Sequence, residues 1–175
     1  ESGPTNQELP SYAHAVGAVY RNSDPSDIVV TAAGGLVGEV VQIWKPKELN
    51  TFETEWGFSC MSYEISGALG IKMAKPDQDV IVFVGDGSYL LQNSDIYSSV
   101  LYDKKLIIVV CDNGGHMVIN RLQLAKGGNE YLCNLNAARA TNVQFVDFEA
   151  HAKSMGANGE TVKSISELEL SLIHI

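Results

Sequence analysis

The sequence predicts an α/β fold of three layers, in which a mainly parallel sheet lies between two layers of helices. Continuous apolar runs rich in β-branched residues occupy residues 28–30, 80–84 and 106–111, as is typical of strands buried on both faces. Helical patterns separate these runs. The second and third runs, with one crossover helix between them, are expected to form a βαβ unit of parallel strands.

The first elements are predicted from periodicity and turn residues. A helix is expected over residues 9–21, where apolar side chains recur at helical spacing. The strand 28–30 follows, and a tight turn at Gly34-Gly35 leads into a helix over 36–44. Pro46 ends that helix, because proline lacks the N–H that a helix needs.

The middle of the chain carries the strongest pattern. Residues 56–71 are almost all apolar or small, with Glu64 as the single charge, which predicts a helix buried on every side. The strand 80–84 comes next, then a helix over 94–101 and the strand 106–111.

The last third of the chain is less regular. Residues 123–142 predict a long loop, 147–155 a helix and 160–162 a weak strand. Ser164 is expected to cap a final helix. The chain stops soon after that helix begins, so the sequence looks like part of a longer protein, and residues 171–175 are either native or a non-native tail.

Composition excludes several classes of protein. The chain has 175 residues, which fits one domain, and 12 Lys+Arg against 21 Asp+Glu give a charge of −9, so a nucleic-acid interface is not expected. The apolar runs have strand length rather than the roughly 20 residues of a membrane helix. Three cysteines cannot all pair within the chain and no signal peptide is recognisable, so a cytoplasmic protein is expected.

Two predicted strands end in polar and glycine residues. Asp86 lies in Gly85-Asp86-Gly87, and Asn113 lies in Asp112-Asn113-Gly114-Gly115. Because ligands bind at the carboxyl ends of parallel strands, these motifs are expected to lie together. A carboxylate and an amide oxygen are hard ligands that suit Mg²⁺, and the glycines let a diphosphate approach the backbone. Taken singly, each motif is more typical of an ordinary strand-end turn than of a metal site.

The two motifs together resemble the diphosphate-binding signature of thiamine-diphosphate enzymes, with Asp112 in place of the first residue of the usual Asn-Asn pair. The resemblance implies thiamine diphosphate and Mg²⁺ as cofactors and a thiamine-diphosphate-binding fold. It assigns the metal to the Asp86 carboxylate, the Asn113 amide oxygen and the Gly115 carbonyl, and places Gly87 and Ser88 against the diphosphate. The cofactor-binding residues that it implies are Gly34, Gly35, Ser59, Cys60, Met61, Gly85, Asp86, Gly87, Ser88, Asn113 and Gly115.

The resemblance extends upstream, to residues 58–63 and 67–70. They are similar to the segment that lies under the bend of the cofactor in this family. Met61 is then expected to support the bent cofactor, and the main chain at Ser59 and Met61 to hold its aminopyrimidine edge. Packing of Met61 in the core is the alternative.

Further stretches within residues 8–170 are most similar to family members that cleave a carbon–carbon bond of a cyclic 1,2-diketone in myo-inositol breakdown. That likeness implies a hydrolase acting on a small molecule. Ser62 stands where this family usually has glycine, and His116-Met117 where many relatives have Tyr-Gly or Phe-Gly. An acetolactate-synthase-like or 2-oxo acid decarboxylase domain is the first alternative, and a non-catalytic, flavodoxin-like module that binds phosphate or a nucleotide is the second.

The resemblance also implies partners. In this family a separate pyrimidine-binding domain, of the same or a partner subunit, supplies the glutamate that activates the cofactor. Residues 1–175 are therefore expected to be a single diphosphate-binding domain of a larger, homo-oligomeric enzyme, inactive by itself. Two further residues are catalytic candidates. Glu64 is either substrate-facing or a buried, paired carboxylate, and His116 either reaches the active site or is an exposed loop histidine.

Overall fold

The computed structural model describes residues 10–140, 142 and 145–174. The strands are β1 (Ile28–Thr31), β2 (Phe52–Thr54), β3 (Val80–Gly85) and β4 (Ile107–Cys111). The helices are α1 (Tyr12–Arg21), α2 (Gly34–Ile43), α3 (Tyr63–Ala74), α4 (Asp86–Leu91), α5 (Ser94–Leu101), α6 (Met117–Ala125), α7 (Phe148–Ser154) and α8 (Ile165–His174). A 3₁₀ turn covers Leu135–Ala137.

The four strands form one parallel sheet in the order β2-β1-β3-β4. Residues of β3 alternate between its two faces. Ile81 and Phe83 pack with residues of α1, α2 and α8, whereas Val82 and Val84 pack with residues of α3, α4 and α5. The predicted three-layer α/β fold is therefore confirmed.

The predicted βαβ unit is also confirmed, because β3 and β4 are parallel neighbours. Gly85 pairs with Cys111 at the carboxyl ends of these strands. The register therefore brings the residues that follow, Asp86 and Asp112, to the same edge of the sheet. None of the helices in the described part of the chain is long and apolar enough to cross a membrane.

The helix predicted over residues 56–71 begins only at Tyr63. The Glu55 carboxylate accepts the backbone N–H groups of Phe58 (3.0 Å) and Cys60 (2.7 Å), which holds the chain in turns. Ser62 has a left-handed φ of 83°, which a helix does not allow. Phe58 is 89% exposed, so the apolar composition of residues 56–62 does not reflect burial.

Three other predictions differ from the structure. Strand β2 was not predicted, because it has three residues and is stabilised by pairing with β1 rather than by its own pattern. Helix α6 extends to Ala125, so residues 123–125, which were predicted to begin a long loop, are helical instead. The predicted strand 160–162 is wrong, since Thr161 donates its N–H to the Glu149 carboxylate (3.0 Å) instead of to a neighbouring strand.

The ends of the fold agree more closely with the sequence pattern. Ser164 caps α8, as predicted, by accepting the N–H of Glu167 at 3.2 Å. Residues 171–174 continue α8. The first helix begins at Tyr12 after Ser11, and residue 9 lies outside the described residues.

Candidate functional site

The site begins with Asp86, the first residue of α4, directly after β3. Its side chain is only 4% exposed. Oδ2 accepts the backbone N–H of Gly115 at 2.7 Å, whereas Oδ1 is buried and has no hydrogen-bond partner among the residues that the structure describes. A buried carboxylate normally has all its oxygens bonded, so Asp86 holds one oxygen available to a ligand.

Burial raises the pKa of Asp86, and the charge of Asp112 raises it further. Hydrogen bonds from the backbone N–H groups of Gly115, Asn113 and Gly87 lower the pKa, but by less than burial and Asp112 raise it. Ionisation of Asp86 is therefore less favourable than in water, and a bound cation would offset this cost. The residues fit Mg²⁺, because a free carboxylate oxygen, an amide side chain and a carbonyl are the oxygen donors that this ion takes.

The loop after β4 lies against Asp86 and depends on its glycines. Gly114 has a φ of 80° and donates its N–H to Asp112 Oδ1 at 2.9 Å. Gly115 has a φ of 138°, and a Cβ there would lie 2.4 Å from the carbonyl oxygen of Cys133. A residue with a side chain could not take this position without moving the backbone.

The Asn113 side chain is exposed, and its amide is held through the nitrogen end. Its Nδ2 donates to the Tyr12 hydroxyl, which lies on α1 and is distant in sequence. Because this contact uses the nitrogen, the amide oxygen of Asn113 is left for another partner. Sequence analysis missed Tyr12, since nothing in its surroundings marks it as a site residue.

His116 lies close to the metal-binding motif. A Cβ at Gly87 would lie 2.6 Å from both Nδ1 and Cε1 of the His116 ring. The imidazole therefore covers the backbone at Gly87, although the residue as a whole is exposed. His116 is thus an exposed residue of the loop after β4 whose ring lies against Gly87.

Glu64 is completely buried, with 0% exposure. Its Oε1 accepts the N–H of Ala33 at 3.2 Å, and its Oε2 accepts the Ser88 hydroxyl at 2.8 Å. Ser88 Oγ also accepts the N–H of Ser62 at 2.7 Å. The Ser88 hydroxyl is therefore directed at these protein groups rather than at an open surface, and Glu64 joins the segments that follow β1 and β3.

The segment before α3 carries Ser59, Cys60 and Met61. Met61 is 38% exposed, so the alternative that it packs in the core is wrong. Hydrogen bonding to Glu55 raises the pKa of the exposed Cys60 thiol. Burial raises the pKa of Cys111 to about 12, with a further contribution from the Asp86 charge, so this thiol is not a nucleophile.

A cavity of about 310 Å³ opens beside Asn113. Gly34 and Gly35 form the first turn of α2 rather than a separate turn before it, and Gly35 lines the cavity. Sequence analysis missed Arg121, which also contributes to the wall. The lining residues are Tyr12, Gly35, Asn113, Met117, Val118 and Arg121.

Comparison with known protein families gives a match over residues 32–173 to the thiamine pyrophosphate enzyme, C-terminal TPP binding domain. The chain belongs to this family. Its cofactor is therefore thiamine diphosphate, as the motifs at Asp86 and Asn113 predicted.

Curated relatives extend the comparison. The chain is 38% identical over 149 residues to the 3D-(3,5/4)-trihydroxycyclohexane-1,2-dione hydrolase of Halalkalibacterium halodurans, a match that covers 85% of the chain and 23% of the relative. It is 43% identical over 143 residues to the enzyme of that name from Lacticaseibacillus casei, with 82% and 22% covered. The chain thus spans about a quarter of the length of these relatives.

A solved structure agrees on the fold. Benzoylformate decarboxylase from Polynucleobacter necessarius matches with a TM-score of 0.76 and 18% identity, over 99% of this chain and 33% of that one. At this identity the likeness concerns the fold alone.

Proposed function

We propose that this chain is the diphosphate-binding part of a hydrolase that cleaves a carbon–carbon bond of 3D-trihydroxycyclohexane-1,2-dione in inositol catabolism. One observation of the structure supports a cofactor site here: the buried Oδ1 of Asp86, at the carboxyl end of a central strand, has no partner in the described part of the chain. The choice of substrate is supported by the names of the curated relatives, which match most of this chain.

The metal would be held by residues of two neighbouring strand ends. Asp86 Oδ1, the amide oxygen of Asn113 and the carbonyl of Gly115 supply three oxygen ligands, and diphosphate oxygens and water complete the set. Gly87 has no side chain of its own, and the exposed His116 ring that lies over its backbone would move aside for a diphosphate. Asp112, which differs from the usual family residue, holds the N–H of Gly114 and is not needed as a ligand.

The rest of the cofactor would lie over the segment before α3. Met61 supports the bend, and the main chain at Ser59 and Met61 holds the aminopyrimidine edge. The carboxylate of Glu55 keeps this segment in its turns. When bound, thiamine diphosphate supplies a nucleophilic carbon that accepts the electron pair of the breaking bond, while the protein orients cofactor and substrate.

Catalysis by this site requires a companion. The family combines this domain with a pyrimidine-binding domain, and we place that domain in the same or a partner subunit of a homo-oligomer. Exposed apolar side chains on α4 and α5 (Leu90, Leu91, Tyr97 and Leu101) support a protein-covered surface. The three unpaired cysteines support a cytoplasmic location, where thiols stay reduced.

The proposed activity is tested with the full-length protein supplied with Mg²⁺ and thiamine diphosphate. We expect it to consume the cyclic dione and to release an open-chain acid, and Asp86→Ala to abolish this turnover. Release of CO₂ from a 2-oxo acid, or formation of acetolactate from pyruvate, without consumption of the dione would instead support the decarboxylase or synthase alternative.

The 175-residue chain by itself allows a second test. We expect it to bind thiamine diphosphate weakly and only with Mg²⁺, and not to turn over the dione. Titration with FMN and ATP, with and without Mg²⁺, is the matched control. Preferential binding of either nucleotide would contradict the proposal in favour of a non-catalytic module.

A further inference from the structure

The cavity beside Asn113 extends the proposed cofactor site towards α6. It is formed where α1, α2 and α6 meet the loop after β4, and its volume is about 310 Å³. That is at the lower end of the range of small-molecule sites, which suits a compact group rather than a whole cofactor. Because Asn113 lines the cavity and is a proposed metal ligand, a group in the cavity would lie next to the metal.

The cavity has one cationic side chain, that of Arg121. A Cβ at Gly35 would lie 2.7 Å from Nη2 of Arg121, so the guanidinium group lies against the first turn of α2. In residues 10–140, 142 and 145–174, ion pairs engage four other basic side chains, whereas Arg121 has no carboxylate within ion-pair distance. Its charge is therefore available to an anion.

The backbone beside Arg121, in the first turn of α2, also favours an anion. No side chain caps α2, since its N-cap is Ala33, and the first turn contains no acidic residue. Gly34 and Gly35 leave the N–H groups of this turn uncovered by side chains of their own. The start of a ten-residue helix without a cap is a favourable place for negative charge.

Tyr12 connects this cavity to the metal ligand. Burial raises the pKa of its hydroxyl, while the hydrogen bond from Asn113 and the charge of Arg121 oppose that effect. The Tyr12 hydroxyl therefore lies close to both residues, and it stays protonated at neutral pH. It fixes the nitrogen end of the Asn113 amide, which leaves the oxygen end for the metal.

Charge balance gives a reason for a cation in this place. A diphosphate carries more negative charge than one Mg²⁺ neutralises, and Asp86 adds a further buried carboxylate. We propose that Arg121 binds the diphosphate group of the cofactor from the α6 side of this cavity. This rests on the cofactor site proposed above and not on the identity of the substrate.

The test compares Arg121→Gln with Lys126→Gln in the 175-residue chain. Lys126 directly follows α6 and does not line the cavity, and its replacement by glutamine removes the same charge. Calorimetry measures binding of inorganic diphosphate and of thiamine diphosphate, each with Mg²⁺. We expect Arg121→Gln to weaken both affinities by about tenfold or more, as for loss of a charged hydrogen bond, and Lys126→Gln to change them by less than about twofold.

Two further measurements sharpen the result. Arg121→Lys should recover part of the affinity, because it keeps the charge but not the planar group. Binding by Arg121→Gln should depend less on salt than binding by the unchanged chain. Unchanged affinity in Arg121→Gln, an equal loss in Lys126→Gln, or no Mg²⁺-dependent diphosphate binding by the unchanged chain would each overturn the inference. If the full-length protein failed to cleave the dione while these affinities changed as expected, the proposed substrate would be wrong and the role of Arg121 would still be supported.

Discussion

Replacing Asp86 by asparagine should stabilise the chain in the absence of metal while removing its cofactor binding. The carboxylate is 4% exposed, and only Oδ2 has a hydrogen-bond partner among the described residues, the N–H of Gly115 at 2.7 Å. Asparagine has the same shape and keeps an oxygen for Gly115. The substitution removes the buried charge together with its attraction to the N–H groups of Asn113 and Gly87, which is smaller than the cost of burying that charge. It therefore separates stability from function.

The size of the effect follows from this environment. A buried polar group without a partner costs about 1–3 kcal/mol, and more when it is charged. The amide of the variant still leaves one donor unpaired, so we expect a gain of about 1–2 kcal/mol in the free energy of unfolding at pH 7. For a chain of 175 residues this corresponds to a rise of about 2–8 °C in Tm.

The sign of the pH dependence is fixed by the raised pKa of Asp86. Below the ordinary carboxyl pKa of about 3.9, Asp86 is protonated in both the folded and unfolded states and contributes no difference. As the pH rises, the unfolded state ionises first, so the ionised carboxylate destabilises the fold increasingly until the folded state has ionised too. The advantage of the variant should therefore grow from low pH and then level off.

The assay is urea unfolding of both proteins between pH 4 and pH 8 with a chelator present, followed by calorimetry with Mg²⁺ and thiamine diphosphate. Asp77→Asn is the control, because it removes the same charge from an exposed carboxylate that is distant from the site. If Asp86→Asn is no more stable than the unchanged chain at pH 7, or binds the cofactor equally well, the carboxylate is not the unpaired group described here.

Three other substitutions test the neighbouring groups. Asn113→Ala removes a neutral ligand and should weaken Mg²⁺-dependent cofactor binding in calorimetry by about tenfold, less than Asp86→Ala; unchanged affinity would contradict the assignment. Glu64→Gln leaves a buried hydrogen bond unmade and should lower the free energy of unfolding by about 1–3 kcal/mol in urea; an unchanged value would mean that the two hydrogen bonds do not stabilise the fold. Gly115→Ala should lower the Tm through its clash with Cys133, whereas Gly38→Ala, with open space around it, should not; equal effects would refute the clash.

The sheet and the placement of Asp86 and Asn113 at one edge of it could be predicted from the sequence because both follow from local signals. Buried strands of a parallel sheet are continuous apolar runs, and the residues after them fall at one edge by topology. Asp86 and Asn113 were found in this way. Their position at one edge follows from the pairing of β3 with β4, whose crossover consists of α4 and α5 rather than the single helix predicted.

The parts that were missed depend on contacts between distant residues. The turns before α3 require the Glu55 carboxylate to capture two backbone N–H groups, and composition does not show this. Tyr12 and Asn113 are separated by 101 positions, and the contact exists because α1 packs beside α2 and reaches the loop after β4. The hydrogen bond of Ser88 could not be predicted because its partner, Glu64, lies on another element.

The strand order gives an account of the site that does not depend on the motifs. The chain passes from β1 outward to β2 and then returns past β1 to β3, so the order reverses between β1 and β3. Helix α2 leaves β1 towards one face of the sheet and α4 leaves β3 towards the other. A crevice opens where such connections diverge, and ligands of open parallel sheets bind there. Gly34 and Gly35 begin one of these helices and Asp86 the other. Buried Glu64 joins the two walls through Ala33 and Ser88, with both of its oxygens bonded. Asp86, in contrast, keeps one oxygen without a partner among the described residues, and this oxygen is the one that we propose for the metal.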